Sequence, residues 1–152
     1  MTDEASAWEW DETLYAGAAR YYPAGRMPYP GALARAIRSE LGLDGTGRLL
    51  DVGCGPGSLT LLLAPMFETA TGADGSREMI AAARARAARL GVTNTDWLVV
   101  RAENIPAGLG RFRAVTFAQS FHWLNRPRVA GLVRQVLEPG GACVVVYATT
   151  HA

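Results

Sequence analysis

The sequence predicts an α/β fold: a single domain built on a doubly wound, mostly parallel sheet. Three observations carry this expectation. From residue 48 onward, short apolar runs alternate with helix-patterned stretches, the pattern of parallel strands covered on both faces. A glycine-rich turn, Asp51-Val52-Gly53-Cys54-Gly55-Pro56-Gly57, joins the first such run to a helix, at the place where doubly wound sheets bind their ligands. The chain has 152 residues, 49% hydrophobic and 19% charged, enough for one domain with its own core.

The elements follow from periodicity and punctuation. Residues 5–30 are rich in Trp, Tyr, Gly and Pro and read as a short helix followed by an irregular segment. Pro28 and Pro30 hold the end of that segment extended. A helix is predicted over 31–41, with Leu33, Ile37 and Leu41 on one face and Gly42 as its stop. The spacing then predicts a strand over 48–52, a helix over 59–67 and a strand over 69–73 that ends at Asp74. Ser76 is suited to cap a helix that runs to Leu90 and stops at Gly91. Strands are predicted over 96–100 and 114–118, and a helix over 128–137 closed by Pro139-Gly140-Gly141. The apolar run 142–148 is the final strand.

Composition excludes several function classes. The net charge is +1, which argues for neither a nucleic-acid partner nor an acidic membrane. All 15 basic residues are Arg, which fits a coding bias better than a functional signature. Cys54 and Cys143 have neither metal-ligand spacing nor a secreted-scaffold pattern, so no metal is expected and a reducing cytoplasm is the default location. The acidic start Met1-Thr2-Asp3-Glu4 lacks a signal core, and no run is long and apolar enough to span a bilayer.

The chemistry concentrates in four places. In the glycine turn, Asp51 stands two positions before Gly53. A carboxylate there would repel a pyrophosphate but favours a cationic sulfonium or ammonium group. Ser58 occupies the position where a dinucleotide fingerprint would have its third glycine. A tight turn without a ligand is the structural alternative. Asp74, 21 positions after Gly53, has the placement to accept hydrogen bonds from a ribose diol; alternatively it is an acidic residue before a helix. After the third strand, Ala102 and Glu103 lie where an adenine ring would be edged, with a solvated loop carboxylate as the alternative. After the fourth strand comes Phe117-Ala118-Gln119-Ser120-Phe121-His122-Trp123. His122 is the candidate general base, and Phe121 and Trp123 are candidate walls of an apolar acceptor pocket. A packed aromatic turn is the alternative there.

The ordered set Asp51-x-Gly53-x-Gly55-x-Gly57, Asp74, Ala102-Glu103-x-x-Pro106, Phe121-His122-Trp123 and Leu137-Glu138-Pro139-Gly140-Gly141 resembles the small-molecule class I S-adenosylmethionine-dependent methyltransferases. The stretch Tyr22-Pro23-Ala24-Gly25-Arg26-Met27-Pro28-Tyr29-Pro30 is similar to the N-terminal segment of the same branch. The resemblance implies a Rossmann-like methyltransferase core over 31–152, preceded by an N-terminal helix and lid segment over 1–30. It implies S-adenosyl-L-methionine as cofactor and S-adenosyl-L-homocysteine as product. Asp51, Gly53 and Gly55 would then line the methionine part, and Asp74 would bind the ribose with Gly75 and Ser76 at its border. Ala102 and Glu103 would edge the adenine, and Gln119 and Ser120 would lie beside the sulfonium. Tyr22 and Arg26 would belong to the lid, with Arg26 pairing the donor carboxylate.

Three departures accompany the resemblance, the first being Met27, which replaces a Pro of the N-terminal segment. Arg101 stands where many relatives carry Asp. The sequence also stops just after its last strand, where the family adds helix and antiparallel strands. An apolar edge strand invites pairing, so a homodimer through 142–148 is expected. The reading is methyl transfer to a small molecule. The alternatives are a truncated methyltransferase-like binding or assembly module, and a nucleotide-dependent oxidoreductase.

Overall fold

A computed structural model describes residues 29–118 and 125–146. In chain order, these residues form α1 (Gly31–Leu41), β1 (Arg48–Val52), α2 (Ser58–Leu63), β2 (Thr69–Asp74), α3 (Arg77–Leu90), β3 (Thr95–Val99), β4 (Phe112–Ala118), α4 (Arg126–Val136) and β5 (Leu137–Val146). The five strands make one sheet in the order β3-β2-β1-β4-β5, with every neighbouring pair parallel. The expected doubly wound α/β architecture is therefore present, and the sheet is wholly parallel.

Strand register decides which side chains share a face. Asp51 pairs with Gly72 and with Thr116, and Gly72 pairs with Trp97. Alternation then puts Leu49, Ala70 and Ala114 on that same face. There α1 and α2 pack through Ala34, Ile37, Leu59 and Leu63, and α3 adds Ile80, Ala83 and Ala87 around Trp97. The opposite face carries Leu50, Val52, Val115 and Phe117, buried under Val129, Val133 and Val136 of α4. The β3–β4 connection has no α-helix. Two short 3-10 turns, Ala102–Asn104 and Ala107–Leu109, take its place.

Several ends differ from expectation for local reasons. The helix expected over 59–67 is α-helical only over Ser58–Leu63 and continues as a 3-10 turn, Ala64–Met66. Pro65 has no N–H to extend the α ladder. The third strand starts one residue earlier, at Thr95. The last helix begins at Arg126, because Asn125 accepts a hydrogen bond from the Arg128 amide and caps it. The last strand starts at Leu137, the residue expected to end the helix, and runs through the Pro139-Gly140-Gly141 stretch expected to close it. Phe112 pairs with Leu137 and Ala114 with Ala142, so the extra residues of the Pro-Gly-Gly stretch bulge out between them. An edge strand tolerates this proline.

Candidate donor-binding site

The site is built where β1, β2 and β3 end on one edge of the sheet. β1 is buried and stops at Val52, and the chain then reverses through three glycines at positive φ: Gly53 (67°), Gly55 (56°) and Gly57 (85°). These angles are costly for any residue with a Cβ. Gly57 answers a second demand, since a Cβ there would lie 2.7 Å from Cη2 of Trp97. The Cys54 amide donates to the carbonyl of Ala73 (2.9 Å), which locks the loop to the end of β2. Burial pushes the Cys54 thiol well above its ordinary value, with the nearby charges of Asp51 and Asp74 adding to the effect. The sulfur is thus a neutral wall rather than a nucleophile.

Asp74, the last residue of β2, holds two loops together. Its Oδ2 accepts from the Gly55 amide (2.9 Å) and its Oδ1 from the Ser76 amide (2.8 Å). Ser76 in turn caps α3, accepting from the Met79 amide. Gly75 sits half-buried between the two. The Asp74 carbonyl accepts from the Val100 amide (3.0 Å), which brings the start of the next loop alongside. That loop carries Ala102, buried, and Glu103. Glu103 Oε2 lies 3.6 Å from Arg101 Nη2, and its main-chain oxygen accepts from Arg128 Nε at 2.9 Å. Glu103 Oε1 is buried and has no hydrogen-bond partner among the described residues. An acceptor left in that state is costly unless a donor arrives to meet it.

Asp51 is 1% exposed. It lies under the loop rather than in it. Oδ2 accepts from the Thr60 hydroxyl (2.6 Å) and Oδ1 from the Thr116 hydroxyl (2.9 Å). Burial raises its pKa to about 6, against the lowering effect of both threonine bonds, and the charge of Asp74 raises it further. Sequence reasoning singled out neither threonine. A signal for each was present, a hydroxyl inside the leucine-rich α2 and one inside the apolar β4.

The glycine loop also borders a cleft of about 270 Å³, counting space open to solvent, lined by Tyr29, Gly53, Cys54, Gly55, Ser58, Leu59 and Ala118. The structure thus places Asp51, Gly53, Gly55, Asp74, Gly75, Ser76, Ala102 and Glu103 on or beneath three adjoining loops. Tyr22, Arg26, Gln119, Ser120 and His122 lie outside the described residues, as do Phe121 and Trp123.

Comparison with known proteins gives a consistent result. The family model of the methyltransferase domain matches residues 49–141. An uncharacterized methyltransferase of Mycobacterium tuberculosis is 34% identical over 102 residues, covering 67% of this chain and 40% of the relative. The trans-aconitate 2-methyltransferase of Variovorax paradoxus is 40% identical over 80 residues, covering 51% of this chain and 28% of that enzyme. The matched part of the chain thus spans two fifths or less of the length of these relatives. Among solved structures, a putative S-adenosyl-L-methionine-dependent methyltransferase of Methanococcus maripaludis superimposes with a TM-score of 0.76 at 20% identity, over 91% of this chain and 64% of that one. At that identity the likeness speaks for the fold alone. The DhpI–SAM–HEP complex gives a TM-score of 0.70 at 28% identity, with the same two coverages of 91% and 64%.

Proposed function

The chain belongs to the methyltransferase-domain family, and from that premise we propose that it binds S-adenosyl-L-methionine on these loops and transfers the methyl group to a small-molecule acceptor. The observation that carries the reading is the placement of Asp74. It closes the glycine loop through Gly55 and the α3 start through Ser76. A carboxylate accepts several hydrogen bonds at once, and one at the end of a parallel strand beside the glycine loop is suited to a vicinal ribose diol. The residues fit the remaining parts of the donor as well. Gly53 and Gly55 leave room for close approach of the methionine part, and the unpartnered Glu103 Oε1 offers an acceptor for the amino group of an adenine. Asp51 supplies negative charge below the loop, which favours a cationic ligand.

When bound, the donor supplies the electrophile, a methyl group on a sulfonium. The chain's own residues then have to bind, orient and exclude water; they need no nucleophile. Tyr22 and Arg26 are proposed as the lid, Gln119 and Ser120 as neighbours of the sulfonium, and His122 as the base for an acceptor that must lose a proton. The two cysteines of the described residues are free, and no helix among those residues is long and apolar enough to cross a membrane. Both facts fit the proposed work on a small molecule in the cytoplasm. The reading is tested by incubating the chain with methyl-labelled donor and a panel of small carboxylic acids, phenols and amines. Transfer of label to one class supports it. Donor binding without transfer to any acceptor would instead favour a binding module.

A further inference from the structure

Asp51, Thr60 and Thr116 form a closed group at the centre of the sheet. Both threonines are 0% exposed. Each donates to a different oxygen of the same carboxylate, at 2.6 Å and 2.9 Å. A buried hydroxyl is costly unless it is bonded, and hydrogen bonds donated to a carboxylate favour its ionised form. The two donors come from different elements, α2 and β4, so their meeting at Asp51 is a property of the assembled fold.

We propose that Thr60 and Thr116 are positioning residues that hold Asp51 as an oriented carboxylate at neutral pH, so that a cationic ligand on the glycine loop meets a full negative charge. The ligand half of this rests on the donor-site reading; the titration half concerns the free protein alone. The groups facing Asp51 set the balance. Burial and the like charge of Asp74 oppose ionisation, the neutral Cys54 thiol stands in the loop above, and the two hydroxyls favour it. The net result is a pKa of about 6. Loss of either hydroxyl lifts it toward neutrality.

The test is titration of the Asp51 side-chain carboxyl by ¹³C NMR in the ligand-free chain, for wild type, Thr60→Val and Thr116→Val. The wild-type midpoint is expected near the value of about 6, and each valine variant should move it up by roughly one unit. Thr60→Ser keeps the hydroxyl and should titrate like wild type. Thr60→Ala serves in place of valine if the latter disturbs packing. A second arm measures S-adenosylhomocysteine affinity at pH 7 and at pH 8.5. Thr60→Val should lose about twofold at pH 7 and recover at pH 8.5, while wild type changes little. Unshifted midpoints in the variants, or an affinity loss equal at both pH values, would overturn the proposal. If the wild type binds no S-adenosylhomocysteine, the donor reading fails while the titration arm still decides this proposal.

Discussion

At Gly57 the backbone and the core make the same demand. Its φ of 85° disfavours any L side chain, and the space its Cβ would need belongs to the Trp97 ring. Left-handed strain and overpacking together predict a loss of about 3 kcal/mol for Gly57→Ala, measurable by urea unfolding. Asp51 makes a different prediction. Its folded pKa of about 6 lies above the ordinary aspartate value of 3.8, so the folded state holds the extra proton between those values. Its contribution is fully present below about pH 4 and is lost as pH rises through 6, on the order of 3 kcal/mol in all. Asp51→Asn should therefore flatten the pH dependence of unfolding free energy between pH 4 and 7, leaving the opposite, acid-side loss from Asp44, whose pKa is lowered to about 2 by its bonds to Thr46 and Arg113. A slope unchanged in the variant would contradict this. The glycines and Asp74 were legible because their chemistry depends on local spacing. Thr116 was not, since it reaches Asp51 across 65 positions through strand pairing.

At the scale of elements, caps and breakers explain what the sequence told and what it hid. The helix over 31–41 and its stop at Gly42 were legible from apolar spacing and a glycine that adopts φ 61°. Ser76 and Gly91 likewise mark both ends of α3. The start of α4 was placed two residues late; Pro127 sits in its first turn, where a missing N–H costs nothing. Asn125→Ala should destabilise the protein by about 1 kcal/mol, seen as a lower melting temperature, with the helix start frayed in hydrogen exchange. An unchanged melting temperature would mean that the cap carries no weight. The early start of β5 was hidden because Pro139-Gly140-Gly141 has the chemistry of a turn. Only the Phe112–Leu137 pairing makes it a bulge within a strand.

For the molecule as a whole, the order β3-β2-β1-β4-β5 puts β1 between strands that continue in opposite directions across the sheet. The crevice at such a switch point is where ligands of open parallel sheets bind, and the glycine loop occupies it. The parallel class was legible from alternation, while the strand order was not, because pairing between β1 and β4 is set by packing at long range. Among the described residues β5 is an edge strand with Val145 exposed. The claim on which the rest depends is donor binding, and calorimetry with S-adenosylhomocysteine tests it most directly. The wild-type chain should bind at micromolar concentration, and Asp74→Asn, still folded by circular dichroism, should bind at least tenfold more weakly. A folded wild type that binds nothing, or a variant that binds equally well, would contradict the assignment of this site.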